Sequence, residues 1–393
     1  MSVWDVVVVG GGPAGATAAR AAVRAGARVL LLERDTLPVR RICGEYVCPG
    51  AVAELRALGF GPALRAARTR ALGGMRLYSP GGRQVVTTFP AASPGLSVRR
   101  FELDPLLVAT CGAEVRRGAK VLGVDVDRES VRVRMADGSR VEAAVIIGAD
   151  GRRSAVAREA GLRARAPATR AALHGYFSNV LETSGHGEMH LPGDGSYFGL
   201  NPGPDGLVNV SYVTDLDRLA DGLGARAAAS LREALSGCAT LRDRFSGARL
   251  ASEVKVLAPL EVRVRRVVAD RVLLAGDAAG FLDPLTGEGM YGAVVSGRLA
   301  GVWAARAARE NRTAESFLRG YARAHRRTLG RKRPLNRGFQ WMLQRPRVLE
   351  LLGRRLAGSQ GLGDALIGVI GNVQTPRVLL RPRHLLTLAG LWT

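Results

Sequence analysis

At 393 residues the chain exceeds what one hydrophobic core usually organises, and its 47 % hydrophobic content excludes a disordered chain. The formal charge of +23 rests almost wholly on arginine, since Lys120, Lys255 and Lys332 are the sole lysines; with 5 % aromatics and no base-stacking or zinc-finger pattern, specific nucleic-acid recognition is not expected. Four cysteines exclude a disulfide scaffold, no apolar run reaches the roughly 20 residues of a membrane span, and the N-terminus lacks a signal-peptide pattern, so a cytoplasmic location is expected.

The first stretch, "WDVVVVGGGPAGATAARAAVRAGARVLLLERD", predicts a buried strand over 6–9, a glycine turn, an alanine-rich helix to about residue 25 and a second strand over 29–32 that ends in Glu33. In such a βαβ unit Gly10 makes the tight turn, Gly12 lets the backbone approach a pyrophosphate, and Gly15 lets helix and strand pack closely. The helix N-terminus faces the phosphates, and Glu33 is placed to accept ribose hydroxyls. Dinucleotide binding follows; NAD and FAD both remain open at this point.

Next comes "RRICGEYVCPG", with Cys43 and Cys48 five apart. Spacing alone leaves a redox disulfide, a metal site and a plain loop open. Pro49 is suited to open the following helix, and a thiol near a helix N-terminus and an arginine is expected to have a lowered pKa. Cys111 and Cys238 read as core or surface thiols.

"VIIGADGRRSAVAREAGL" is a buried strand that ends at Gly148, Asp150 and Gly151 and is followed by a helix. The region 166–265, with a contribution from 71–95, alternates in hydropathy and is punctuated by Gly-Asp-Gly and Pro-Asp-Gly, as antiparallel strands joined by hairpins would be. His174, Tyr176, His190, Tyr197 and Asn209 are its polar candidates for acid, base or orienting roles. "DRVLLAGDAAGFLDPLTGEGMYGAVVSGRLAG" is a further strand, then Gly276 and Asp277, a Pro/Gly-rich turn and a long small-residue helix. Beyond residue 310, apolar residues recur at helical spacing with arginines between them, which predicts a basic helical cap.

The three glycine-acid stretches together resemble the FAD-dependent oxidoreductase superfamily of the geranylgeranyl reductases and the aromatic hydroxylases (group A flavin monooxygenases), over roughly residues 1–325. The resemblance implies an α/β fold: a Rossmann-like, glutathione-reductase-like FAD-binding domain from 1–70, 96–165 and 266–320, an inserted antiparallel β-sheet substrate domain from 71–95 and 166–265, and a helical C-terminal cap over 321–393. By the same resemblance Gly10, Gly12, Pro13, Ala14 and Gly15 cradle the cofactor's pyrophosphate, and Glu33 and Arg34 take its adenosine. Asp150 and Gly151 lie near the pyrophosphate, Gly276 and Asp277 hold the ribityl chain, and the turn bearing Pro284, Gly287, Gly289 and Met290 approaches the isoalloxazine. Arg41 and Arg100 approach the flavin, with Arg99 the alternative to Arg100.

The Cys-x4-Cys pair also has the layout of the pyridine nucleotide disulfide oxidoreductases, but these need a second glycine-rich domain in mid-chain and a C-terminal His–Glu pair, and neither is present. No second Cys/His pair sits at ligand spacing, so no metal is expected. The Cys-Gly motif resembles the reductase branch and makes Cys43, with Tyr197 and His174, the catalytic candidates. The reductases' aromatic-rich Tyr-x-Trp-x-Phe-Pro segment corresponds to residues from Tyr197 to Pro202, where Leu200 and Asn201 replace larger aromatics; the halogenases' Trp-x-Trp-x-Ile-Pro segment is missing. The expected activity is hydride transfer at flavin N5 on a lipophilic or aromatic biosynthetic intermediate, free or carrier-tethered, by alkene reduction or dehydrogenation. Hydroxylation through a flavin C4a-hydroperoxide and a non-catalytic, FAD-stabilised docking protein are the alternatives. Electrons come from NAD(P)H or a separate reductase, and the basic C-terminal region offers contact to a membrane surface or an acidic protein.

Overall fold

The computed structural model describes residues 4–166, 169–219 and 224–390. Its N-terminal unit runs as β1 (Trp4–Val9), α1 (Pro13–Arg24) and β2 (Val29–Glu33). β1 is buried on both faces, with Val6, Val7 and Val8 fully inaccessible, as a central parallel strand covered by helices must be. It lies between β2 and the strand Arg140–Gly148, both parallel to it; Val272–Leu274 continues the sheet on one side and Glu114–Arg117 on the other.

Register decides where the chemistry sits. Val9 lies opposite both Leu32 and Gly148, and Gly148 lies opposite Leu274. Four strands therefore send their loops out side by side at one edge, the carboxyl edge where open α/β sheets bind ligands. Backbone hydrogen bonds continue the row past the strand ends: Gly10 N to Leu32 O at 2.8 Å, Ala149 N to Val9 O at 2.8 Å, and Ala275 N to Gly148 O at 2.9 Å.

The long helix Gly289–Arg309 packs across α1 at backbone contact. A Cβ on Gly297 would stand 2.2 Å from Ala14 O, and one on Gly301 would stand 2.2 Å from Ala18 O, so glycine is what lets the two helices meet.

A second sheet is mainly antiparallel, in the order 249–250, 170–178, 208–215, 197–202, 187–190, 74–78 and 84–88, with Lys255–Leu257 beside Arg170–Ser178. Its one parallel pairing joins Gly74–Tyr78 to Gly187–His190. A small third sheet carries Tyr46–Val47 against Gly95–Val98. The mixed α/β class, the inserted antiparallel sheet and the C-terminal helices expected from the resemblance are all present. Those helices include Glu315–Leu329, Arg333–Leu343, Pro346–Ala357, Gln360–Ile370 and Pro382–Ala389. No described helix is long and apolar enough to cross a membrane.

Candidate active site

The glycine loop has the geometry its spacing predicts. Gly10 adopts φ +105°, and a Cβ there would meet Ala149 O at 2.4 Å; a Cβ on Gly15 would fall 1.7 Å from Gly10 O. Gly12 is different, because a Cβ there would find only the Arg100 guanidinium, at 3.7 Å. Its backbone thus faces open space beneath a cation, at the N-terminus of α1 that Pro13 opens and Ala14 continues.

Glu33 is buried at the end of β2. Its Oε2 accepts Gly11 N–H at 2.5 Å, and its Oε1 accepts Asp35 N–H at 2.9 Å and Arg41 Nη2 at 3.2 Å. The carboxylate is thereby fixed in orientation and retains lone pairs for hydroxyl donors. Arg34 stands largely exposed beside Asp35, at 3.6 Å.

One buried carboxylate, Asp104, organises two arginines. Arg100 grips it bidentately at 2.7 and 2.6 Å, and Arg41 Nε lies 3.6 Å away. Burial disfavours the Arg100 charge, but Asp104 outweighs it and holds the guanidinium firmly protonated. Arg99, the alternative to Arg100, points elsewhere: it pairs with Glu45 at 2.7 Å and Asp205 at 2.6 Å and lies over the Tyr176 ring at 4.1 Å.

Glu45, which no local pattern singles out, is the hub of the cysteine loop. Its Oε2 accepts Arg99 Nη1 and, at 3.2 Å, Asn209 Nδ2, while its Oε1 accepts Arg100 N–H at 2.9 Å. Asn209 Nδ2 also donates to Cys43 O at 2.9 Å and Asn201 Nδ2 to Gly44 O at 3.0 Å. Two asparagines of the second sheet thus clamp the loop, and Asn201 is one of the residues standing where an aromatic was expected.

The expectation of a lowered Cys43 pKa needs correcting. Burial pushes this thiol up, and the Arg100 charge and the Glu45 N–H, 3.3 Å from Sγ, offset that only in part. It is Cys48, not Cys43, that stands at the N-terminal cap of the helix Pro49–Ala57, and burial raises that thiol too. All four cysteines are free, so Cys43 and Cys48 form no disulfide. Among the described residues no group of three or more His, Cys, Asp or Glu is arranged to hold a metal.

His174 is buried edge-on to Tyr176, at 5.2 Å between ring centroids, and its Nε2 has no hydrogen-bond partner among the described residues. Burial lowers its pKa, leaving a neutral ring at pH 7. It shares a polar cavity of ≈ 130 Å³ with Arg40, Arg41, Tyr176, Ser252, Glu253 and Lys255. Tyr197 lies apart from this group: its hydroxyl donates to Asp283 Oδ1 at 2.5 Å, directly before the turn that begins at Pro284, and burial raises its pKa well above the usual phenol value. His190 is stacked on Tyr78 at 4.1 Å and bonded to Glu188 and Thr240.

The second and third motifs complete the edge. Asp150 Oδ2 accepts Ala155 N–H at 2.7 Å and its Oδ1 accepts the Ser154 hydroxyl at 2.5 Å, so this carboxylate serves the following helix; Gly151 takes φ +77°. Gly276 adopts φ +60°, a Cβ there would stand 2.7 Å from the Ala14 methyl, and its N–H donates to Ser296 Oγ at 2.8 Å. Asp277 is half-buried, and among the described residues its carboxylate has no hydrogen-bond or ion-pair partner. Burial raises its pKa, with the Arg152 and Arg100 charges opposing. The turn closes by Gly287 N to Pro284 O at 2.8 Å, with Gly287 against the Tyr46 ring, Gly289 exposed and Met290 turned into the core.

These residues fit FAD. Open backbone at Gly12 under Arg100 suits a pyrophosphate, the unpartnered Asp277 carboxylate suits a ribityl hydroxyl, and Glu33 suits the ribose.

Comparison with known proteins agrees. Residues 3–328 match the family model described as FAD binding domain. A menaquinone reductase of Mycobacterium tuberculosis is 36 % identical over 320 residues, covering 75 % of each chain. A digeranylgeranylglycerophospholipid reductase of Methanocaldococcus jannaschii is 32 % identical over 335 residues, covering 82 % of each. Among solved structures, a flavoprotein/dehydrogenase from Cytophaga hutchinsonii superposes with TM-score 0.83 at 19 % identity, over 98 % of this chain and 96 % of that one, and so shares the fold. Loops, row and relatives converge: the chain belongs to the FAD binding domain family and is an FAD-dependent oxidoreductase of the superfamily that joins the geranylgeranyl reductases to the aromatic hydroxylases.

Proposed function

We propose that the protein reduces a carbon–carbon double bond in a prenyl-type lipophilic substrate. The observation that carries this reading is an apolar cavity beside the turn, bounded by Leu285 and Thr286, by Met189 and Leu191 of the second sheet, and by Phe339, Leu343, Leu352 and Leu356 of the cap. Its free volume, ≈ 70 Å³, is about that of two waters, so a prenyl chain enters as these flexible side chains and the cap helices give way. The two reductase relatives are named for a prenylated quinone and a prenylated lipid, which supports the same substrate class.

FAD when bound supplies the hydride. The chain's own part is to orient and to protonate. Burial keeps the proton on Cys43 Sγ at neutral pH, while Arg100 stabilises the thiolate left after that proton passes to the second alkene carbon; solvent then reprotonates the sulfur. Glu45 and the two asparagines hold Cys43 in place throughout. Arg40, Arg41 and Lys255, around the polar cavity that His174 and Tyr176 also line, support NAD(P)H as the electron donor, docked through a phosphate.

The test is turnover of the FAD-loaded protein with deuterated NADPH and a polyprenyl quinone or polyprenyl glycerolipid, run anaerobically and again in air, read by mass spectrometry. A product that has gained one deuterium and one hydrogen is the expected result. A product that requires oxygen and gains an oxygen atom would move the protein to the hydroxylases.

A further inference from the structure

The last described helix is turned inside out. In Pro382–Ala389 the buried side chains are the polar His384 and Thr387, whereas Leu385, Leu386 and Leu388 are 46 %, 37 % and 39 % exposed. One contact ties it to the preceding turn, His384 Nδ1 to the Val378 carbonyl at 2.8 Å, while Thr387 Oγ1 is satisfied within the helix by Arg383 O at 2.9 Å. Just ahead, Leu380 is 67 % exposed. Arg377, Arg381 and Arg383 stand exposed among these leucines, with no ion-pair partner among the described residues.

Two other helices of the cap, Arg333–Leu343 and Pro346–Ala357, expose Trp341 and Leu351 by about half. Leu343, Leu352 and Leu356 of those same helices line the apolar cavity. One layer of helix therefore separates the outer face from the inner pocket.

Charge selects the occupant. A second copy would bring the same unpaired arginines against each other on a chain of net charge +23, which repels. A sheet of phosphate headgroups over acyl chain satisfies arginine and leucine together, as interfacial helices do.

We propose that this C-terminal face docks on an anionic lipid bilayer, with Leu380, Leu385, Leu386 and Leu388 at the acyl boundary and Arg377, Arg381 and Arg383 on the headgroup phosphates. The surface stands whatever the substrate is, so the inference does not rest on the reading above.

The test is sedimentation of the FAD-loaded full chain with vesicles of phosphatidylcholine alone or mixed with phosphatidylglycerol. Wild type should pellet with the mixed vesicles and be released by salt, and each Arg→Gln change among the three should weaken partition about fivefold. Leu385→Ser with Leu388→Ser should abolish pelleting while FAD absorbance stays unchanged and Tm falls by a few degrees at most, since both residues are partly exposed. Leu380→Ser, more exposed still, repeats the test should the double variant unfold. Wild type remaining in the supernatant with mixed vesicles at low salt overturns the proposal. So does equal pelleting of the leucine variants, or a dimer in light scattering that those variants dissolve without any vesicle binding.

Discussion

Burial and charge pull the Cys43 thiol in opposite directions, and burial wins. The thiolate is the reactive form, so iodoacetamide should label Cys43 in the native protein at pH 7.5 at least about tenfold more slowly than a free thiol. Arg100→Met removes the opposing cation and should slow labelling further; faster labelling, resolved by peptide mass spectrometry, would show that Arg100 had been raising the pKa. At the polar cavity, Lys255→Gln should raise the KM for NAD(P)H about tenfold or more with kcat little changed, the loss of one charge-assisted contact. An unchanged KM would remove the donor from that cavity. At this scale the sequence is a partial guide. Glycines and acids at strand ends carry local signals, which is why Gly10, Glu33 and Asp277 stand out along the chain. Glu45 does not, because its partners Arg99 and Asn209 are 54 and 164 residues away and nothing near it in the chain announces them.

Elements are legible where their cause is local. The period of the first 33 residues contains both strands and the helix between them, and the small residues of "GMYGAVVSGRLAG" announce a helix. They do not announce its partner. Likewise 71–95 reads as sheet, but the parallel pairing of Gly74–Tyr78 with Gly187–His190 is set by packing across more than a hundred residues. The partner of the small-residue helix is α1, and Gly297 is where they touch. Gly297→Ala puts a methyl 2.2 Å from both Ala14 O and Thr17 Oγ1; the first is backbone and cannot rotate away, so the helices must part. We expect a loss of about 1–3 kcal/mol in urea unfolding and weaker retention of FAD on gel filtration, because α1 carries Gly12 at its N-terminus. Loss of stability with FAD retention intact would separate helix packing from the cofactor loop.

Across the whole molecule, Tyr321 connects the cap side to the catalytic edge. This fully buried side chain, on the helix Glu315–Leu329, donates its hydroxyl to Leu274 O at 2.5 Å, and only Ala275 separates Leu274 from the Gly276–Asp277 loop. One turn further along the same helix, His325 is buried against the Tyr321 ring at 5.7 Å, and burial with the Arg333 charge lowers its pKa from 6.5 to about 4. A histidine whose folded pKa is depressed favours the native state while it is neutral. As pH falls below 6.5 the unfolded chain takes up a proton that the folded chain refuses, so stability drops continuously until pH reaches about 4, by about 3 kcal/mol in all. His325→Gln removes the titration while keeping a polar side chain of similar size. Urea unfolding of wild type and variant at pH 7 and pH 4.5 should therefore show a smaller acid loss in the variant, and FAD release on acidification should shift to lower pH with it. If both proteins lose the same stability, His325 is not what senses acid, and the link from this helix through Tyr321 to the Asp277 loop would have to answer to another group.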